Sequence, residues 1–203
     1  MTDAGSVSAP ASEGSQAPLG PAEDDRDVLL ALARGERRRA LSLCVQRHGR
    51  SIGKLCMAML GSQQDADDVT QETLLAAHQA FAEFRHEGTL RAWLLGIARN
   101  KCLQHLEKHR RRGARLRLVR DIDAAAAAPE QELHTRKRAE QARALLERVR
   151  PSDRDALLLR YCAELSFKEL AAACGIAEAA ARKRVSRALL LLRSTLGKEA
   201  EDD

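Results

Sequence analysis

Apolar residues recur every three or four positions along two long stretches of the chain, from Asp27 to about Arg112 and from about His134 to Lys198. This spacing places them on one side of an α-helix, so both stretches are predicted to form amphipathic helices that bury one face. No internal repeat is visible. We therefore expect an all-α protein made of two small helical domains joined by a flexible linker.

The segments outside the two stretches lack the pattern of a packed core. The N-terminal segment is rich in Ala, Ser, Pro, Gly and acidic residues, which predicts disorder. Gly113, an alanine run and Pro129 interrupt the pattern in the middle of the chain. The predicted segments are a disordered tail at 1–25, a first domain at 26–112, a linker at 113–133, a second domain at 134–198 and an acidic tail at 199–203.

Composition agrees with helices and indicates a polyanionic partner. Aromatic residues make up 2% of the chain, and the net charge of +5 favours association with nucleic acid. No apolar run reaches the roughly 18 residues that a transmembrane helix needs. The N-terminus lacks the basic and apolar regions of a secretion signal. We expect a cytoplasmic protein with no membrane insertion.

Five cysteines without a CxxC pair argue against a disulfide framework. Cys44 with His48, and Cys102 with His105, have same-face helical spacings that could hold a metal or form a redox switch. The alternative is that the cysteines are reduced and act as small buried apolar residues. We favour the alternative and expect neither a metal nor a cofactor.

The second domain contains a helix-turn-helix pattern. Ser166 and Glu169 have the spacing of a capping box that begins a short helix, and Gly175 can take the positive φ of a tight turn. A second helix is predicted from Glu178 to Leu196, with its apolar stripe on one side. Its basic residues lie mainly on the other side: Arg182, Lys183, Arg184 and Arg187. These cations could be a solvated face, but their position directly after the turn favours DNA binding.

The first domain carries an acidic stripe. Ser62 is the predicted N-cap of a helix from Gln63 to about Phe84. On that helix Asp65, Asp68 and Glu72 stack beside the apolar face, although like charges four residues apart disfavour a helix. The helix dipole explains acidic residues in the first turn, as at Asp65, but not at Glu72.

A further helix is predicted to begin after Thr89 as its N-cap, with Trp93 on its apolar face. Nine Lys and Arg residues occur between positions 99 and 120. Cations favour a helix C-terminus, but this number exceeds what a cap requires. A surface that follows a nucleic-acid backbone explains it better.

The stretches DADDVTQETLLAAHQAFAEF and GTLRAWLLGIARN resemble region 2 of the bacterial sigma-70 family. The stretch LSFKELAAACGIAEAAARKRVSRALLLLR resembles region 4 of the same family. Both regions without an intervening region 3 resemble an extracytoplasmic-function (ECF) sigma factor. The resemblance covers roughly residues 26 to 198.

The resemblance implies partners for each surface. Core RNA polymerase, through its β′ clamp helices and its β subunit, promoter DNA and an anti-sigma factor are the implied partners. The residues implied to bind polymerase are Asp65, Asp68, Gln71 and Glu72. Those implied to open and hold the −10 element are Phe84, Glu87, Thr89, Trp93, Arg99, Asn100 and Lys101. Those implied to read the −35 element are Arg182, Lys183, Arg184 and Arg187.

Two other classes of protein remain as alternatives. A helix-turn-helix repressor or activator could dimerise through the Leu-rich ALLLLRSTL, but this leaves the acidic stripe without a role. An enzyme would need a Gly-rich phosphate loop, a Ser/His/Asp set or a metal-spaced cluster, and the sequence supports none of them. We therefore expect no catalytic residues and a function in promoter-specific transcription initiation.

Overall fold

The computed structural model describes residues 25–84, 88–115 and 141–199, and within these ranges every regular element is helical. The all-α prediction is therefore confirmed. The helices in chain order are α1 (Arg26–Ala33), α2 (Arg37–Leu60), α3 (Gln63–Ala80), a 3₁₀ turn (Phe81–Glu83), α4 (Leu90–Arg115), α5 (141–147), α6 (Pro151–Tyr161), α7 (Phe167–Cys174) and α8 (Glu178–Glu199).

Helices α1 to α4 form the first unit, in which α2, α3 and α4 pack against one another and α1 packs on α2. The core contains large side chains that are fully buried, including Ile52, Leu55, Leu94 and Leu95. Asp25, the last residue of the predicted tail, is also buried, and its Oδ1 lies 2.8 Å from His48 Nε2 on α2. The packed unit therefore begins one residue earlier than predicted.

The N-caps predicted for this unit are confirmed. Ser62 Oγ accepts a hydrogen bond from the Asp65 N–H at 3.3 Å, and Thr89 Oγ1 accepts one from the Ala92 N–H at 3.1 Å. The helix predicted to reach Phe84 ends at Ala80. A 3₁₀ turn keeps Phe81 in the core and leaves Phe84 with an extended backbone.

Helix α4 continues through Gly113 to Arg115, so its last turn lies within the predicted linker. Glycine inside a helix costs about 1 kcal/mol relative to alanine, and the alanine and arginines around it favour helix. The rest of the linker, the N-terminal tail before Asp25 and the acidic tail at 200–203 lie outside the described residues.

Helices α6, α7 and α8 form the second unit, and the capping box at its centre is confirmed. Ser166 Oγ accepts from the Glu169 N–H at 3.2 Å, and Glu169 Oε2 accepts from the Ser166 N–H at 2.9 Å. Gly175 ends α7 with a φ of 63°. The apolar stripe of α8 is buried at Ala181, Val185 and Ala188. Together these elements build the predicted helix-turn-helix.

The two units pack against each other through α4 with α7 and α2 with α6. Helix α4 approaches α7 closely at Gly96, where an added Cβ would lie 3.1 Å from the carbonyl oxygen of Ala173. A side chain at position 96 would therefore require the backbone of α7 to move by a few tenths of an ångström. This tight crossing places the predicted −10 residues of α4 beside the helix-turn-helix.

Three of the five cysteines are buried, as the apolar interpretation predicts, whereas Cys162 and Cys174 are half-buried. Burial raises the pKa of Cys44 to about 12, and the neighbouring ring of His48 is engaged by Asp25. The thiols of Cys56 and Cys102 contact each other, and this contact together with burial raises the pKa of Cys102. Raised thiol pKa values favour the apolar interpretation of Cys44 and Cys102 over a role as metal ligands.

Candidate nucleic-acid and protein-binding surfaces

The acidic stripe of α3 divides into an exposed part and a partly buried part. Asp68, Gln71 and Glu72 are exposed. Asp65 is half-buried, and its Oδ1 lies 3.2 Å from His105 Nε2 on α4. The exposed residues are free of the core, whereas Asp65 faces the neighbouring helix. We call Asp68, Gln71, Glu72 and Leu75 the acidic surface.

Leu75 belongs to this surface because it follows Asp68 by seven residues and Gln71 by four, which places all three on one helix face. Its side chain is 61% exposed although leucine is usually buried. The sequence analysis did not single out this residue, although its spacing of six residues from Val69 and two from Thr73 already places it away from the buried face. An exposed apolar side chain among carboxylates is typical of a protein-binding surface.

The aromatic residues predicted to act at the −10 element form one cluster. The Trp93 ring stacks on Phe81 with a centroid separation of 6.0 Å, and it contacts Phe84 at 5.2 Å. Phe81 is buried, while Phe84 and Trp93 are half-buried. Only the outer two rings can therefore offer a face to another molecule.

The polar −10 residues differ in what they contact. Thr89 Oγ1 donates to Glu169 Oε1 at 2.9 Å, so a residue of the capping box also binds the first unit. Arg99 donates to Asp155 on α6. Asn100 is exposed and Lys101 is half-buried. The structure thus brings Phe84, Thr89 and Trp93 together. The other described members of the set, Arg99, Asn100 and Lys101, lie further along α4, and Glu87 lies outside the described residues.

A cleft of about 560 Å³ separates the aromatic cluster from the helix-turn-helix. Phe84, Thr89 and Trp93 line one wall, and Gly175 and Ile176 of the turn line the other. Both predicted DNA-binding elements therefore border the same space.

The basic residues of α8 are not equivalent. Lys183 is exposed, and Arg184 is half-buried. Arg182 forms an ion pair with Glu178, and its guanidinium lies 4.5 Å from the centre of the Phe167 ring. That stacking orients Arg182 along the front of the helix-turn-helix.

Arg187 has a structural contact as well as a charge. Its Nε donates to Asp153 Oδ2 at 3.0 Å and its Nη2 donates to Asp153 Oδ1 at 2.7 Å. Asp153 is 3% exposed. The bidentate pair therefore holds α8 on α6, an anchor that the sequence analysis did not find because the two residues are 34 positions apart.

The second buried carboxylate, Asp155, has an unusual environment. Burial raises its pKa above the ordinary value, and the positive charge of Arg99 offsets only part of that shift. The pair is therefore stabilised less by charge attraction than its short distances suggest.

No helix in the described part of the chain combines the length and apolar character that crossing a bilayer requires. The fold and its surfaces define an all-α protein of two packed units with a helix-turn-helix in the second and an exposed acidic surface on α3 of the first.

Family comparison identifies this class of protein more closely. The chain belongs to the sigma-70 family of RNA polymerase sigma factors, because Sigma-70 region 2 matches residues 44–112 and Sigma-70, region 4 matches residues 139–192. Members of this family are specificity subunits for transcription initiation. The predicted resemblance and its two-region ECF character are confirmed.

Individual relatives agree with the family. The chain is 30% identical to the RNA polymerase sigma factor NccH of Alcaligenes xylosoxydans xylosoxydans, over 77% of this chain and 87% of the relative. It is 32% identical to the ECF RNA polymerase sigma factor EcfG of Rhodopseudomonas palustris, over 75% of this chain and 83% of the relative. The solved structure of CnrH in complex with the cytosolic domain of CnrY is similar with a TM-score of 0.67 and 25% identity, over 87% of this chain and 99% of that chain.

Proposed function

We propose that this sigma factor binds core RNA polymerase through the acidic surface, opens the −10 element through the α3–α4 region and reads the −35 element through α8. The observation that carries the proposal is the separation of charge. An exposed acidic surface lies on α3 of region 2, whereas α8 of region 4 is the basic second helix of a helix-turn-helix. We assign catalysis to the polymerase and no catalytic residue to this chain.

Polymerase binding rests on Asp68, Gln71 and Glu72, with Leu75 as an apolar centre. Carboxylates around a leucine suit a basic helical partner such as the β′ clamp helices, while region 4 contacts the β subunit. Asp65 contributes less, because its carboxylate is half-buried against α4.

Promoter opening uses Phe84 and Trp93 as stacking faces for unpaired bases, with Arg99, Asn100 and Lys101 beside the DNA backbone. In the packed arrangement, Arg99 and Thr89 are engaged by the second unit. The two units therefore have to separate before these residues reach DNA. We assign the separation to polymerase, which binds each unit at a different site.

Recognition of the −35 element uses Arg182, Lys183 and Arg184 on the exposed side of α8. Arg187 positions α8 through its hydrogen bonds to Asp153, and its positive charge adds to the same surface. Arginine can contact phosphate or guanine, so the preferred bases do not follow from these residues.

We also propose regulation by an anti-sigma factor. The similar protein CnrH was solved with the cytosolic domain of CnrY bound. An anti-sigma factor that stabilises the packed arrangement would keep Thr89 and Arg99 engaged within the chain. The proposed partners, polymerase and DNA, place the protein in the cytoplasm, at the nucleoid when it is part of the holoenzyme.

The proposal is tested by transcription in vitro with purified core polymerase on the promoter upstream of the protein's own gene and on genomic fragments. We expect initiation only when the protein is added. Asp68→Arg combined with Glu72→Arg should abolish binding to core polymerase, because a basic partner then meets like charges. Gln46→Arg, which adds a cation at an exposed position of α2, is the control and should retain binding.

Two results would refute the proposal. One is the absence of protein-dependent initiation on every fragment. The other is tight binding to a palindromic duplex without polymerase, which would identify an autonomous helix-turn-helix regulator instead.

A further inference from the structure

Three potential metal ligands meet where α3 lies against α4. Asp65 of α3 and His105 and His109 of α4 each offer a ligand atom, and these atoms all lie within 4.8 Å of one another. His105 and His109 are one helical turn apart, with ring centroids 4.4 Å apart. Two histidines four residues apart on one helix can bind the same ion.

The ring of His105 has an unsatisfied nitrogen. Its Nε2 is buried and has no hydrogen-bond partner, although Asp65 Oδ1 lies 3.2 Å away. A buried polar atom without a partner costs free energy and requires an explanation, of which a bound ion is one. The orientation of this nitrogen toward a carboxylate is the orientation that a shared cation requires.

The distances suit a tetrahedral ion. Zinc binds imidazole nitrogen and carboxylate oxygen at about 2.0–2.2 Å, which places neighbouring ligand atoms about 3.3 Å apart. The Asp65 and His105 atoms already have this separation. His109 is exposed, so its ring can rotate toward the pair without disturbing the core. Three protein ligands leave the fourth position for water.

Charges of both signs surround the three residues. Arg110 and Arg111 on α4 share Glu107, which offsets one of their two positive charges. Asp68 and Glu72 lie one and two turns further along α3 from Asp65 and are exposed. Their negative charges attract a divalent ion toward the site.

We propose that Asp65, His105 and His109 form a binding site for a divalent transition-metal ion, with Zn²⁺ the best match. The ion would join α3 to α4 within region 2. This site goes beyond the proposed function and gives Asp65 a role different from that of the exposed Asp68 and Glu72. It also differs from the two Cys–His pairs considered from the sequence, since no thiol takes part.

The test uses the full-length reduced chain and Co²⁺ as a spectroscopic substitute for Zn²⁺. We expect one Co²⁺ per chain with the visible bands of a tetrahedral site and no thiolate-to-cobalt charge-transfer band. Addition of Zn²⁺ should displace the cobalt. His109→Ala should weaken binding by at least about 10-fold, since even changes outside the ligand shell cost about 10- to 100-fold.

Matched variants distinguish the loss of a metal ligand from a change in local charge or in folding. Lys108→Ala, at the exposed position beside His109, should leave the affinity unchanged, as should Asp67→Asn, whereas Asp65→Asn should weaken it as His109→Ala does. Circular dichroism checks that each variant is folded. A thiolate charge-transfer band, unchanged affinity in folded His109→Ala, or no binding of Co²⁺ or Zn²⁺ below about 1 mM would overturn the proposal.

Discussion

Arg99 of α4 donates two hydrogen bonds to Asp155 of α6, from Nε at 3.1 Å and from Nη2 at 2.8 Å. Both side chains are largely removed from water, with exposures of 16% and 3%. The pair joins region 2 to region 4, and its arginine is one of the residues assigned to the −10 element. The same guanidinium therefore cannot bind Asp155 and DNA at once.

The two partners of this pair should respond differently to removal. Asp155→Asn removes a carboxylate whose burial already disfavours its charged form, and it leaves an amide oxygen that can still accept from Arg99, so we expect a loss of only about 1 kcal/mol in the free energy of unfolding. Arg99→Ala leaves that carboxylate buried without its cation, and we expect a loss of about 3 kcal/mol at pH 7. Urea denaturation of both variants measures the difference. Equal losses of unfolding free energy in the two variants would contradict the conclusion that the unpaired Asp155 carboxylate is the costly partner.

The effect of Arg99→Ala should depend on pH. The pKa of Asp155 is raised in the folded chain, so the folded state holds more protons than the unfolded state between the unfolded value, about 3.9, and the raised value. Stability therefore falls as pH rises through this window, and falls further without Arg99. We expect the difference between Arg99→Ala and the wild type to grow from pH 4 to pH 7. In the Asp155→Asn background the effect of Arg99→Ala should not vary with pH.

Packing between the units can be tested at Gly96. In Gly96→Ala, the new methyl group would lie 3.1 Å from the Ala173 oxygen and 3.4 Å from its Cα, and both atoms belong to the backbone. Because a backbone yields less easily than a flexible side chain, we expect this strain to outweigh the helix preference of alanine and to lower the free energy of unfolding by about 1 kcal/mol, measured by urea denaturation. Gly49→Ala is the control.

At Gly49 the nearest atom to an added Cβ is Val45 Cγ1, at 4.0 Å. This substitution should stabilise the chain by about 0.5–1 kcal/mol, because alanine favours a helix more than glycine does. Gly96→Ala that behaves like Gly49→Ala would mean that the contact between α4 and α7 is not tight in solution.

Local chemistry accounts for what the sequence could predict. Ser62, Thr89 and the Ser166–Glu169 box each act within four residues, so their effects can be recognised from spacing alone. The contacts that join the units could not be predicted in this way. Glu169 with Thr89 spans 80 positions and Arg99 with Asp155 spans 56, and no periodicity relates residues that far apart.

Besides the long-range contacts, periodicity could not predict the exposure of side chains at the edge of a buried helix face. Asp65 lies at the border of the apolar face of α3, where a small rotation of the helix decides whether a side chain is covered. The packing of α4 covers part of Asp65. Leu75 differs, because its spacing from Val69 and Thr73 already places it on the solvent side of the helix, where it is 61% exposed. The Asp65–His105 contact therefore appears only in the three-dimensional structure.

The apolar part of the acidic surface should matter for binding and not for folding. Leu75→Ala removes a side chain that is 61% exposed, so we expect little change in stability and an affinity for core polymerase reduced by about 10-fold. Leu190→Ala, at a position 71% exposed on α8, is the control and should retain the affinity. Fluorescence titration with labelled protein measures both. Equal affinities for the two variants would remove Leu75 from the proposed interface.

Substitutions at Lys183 and Arg187 should have different effects, because Lys183 is proposed to contact DNA whereas Arg187 stabilises the fold. Lys183 is exposed, so Lys183→Ala should leave stability within about 0.5 kcal/mol and weaken holoenzyme binding to promoter DNA uniformly across sequences. The loss of one phosphate contact should reduce the slope of log affinity against log salt by about 1. Titrations at several salt concentrations measure that slope.

Arg187→Ala should instead destabilise region 4 by about 2 kcal/mol, because it leaves Asp153 buried without its bidentate partner. Arg187→Lys provides the decisive comparison. It keeps the positive charge but cannot reproduce the paired hydrogen bonds of the guanidinium, so stability should be only partly restored. If Arg187→Lys restored full stability, charge alone would hold α8 on α6. If Arg187→Ala lowered the salt slope without loss of stability, Arg187 would be a DNA contact and not an anchor of the helix.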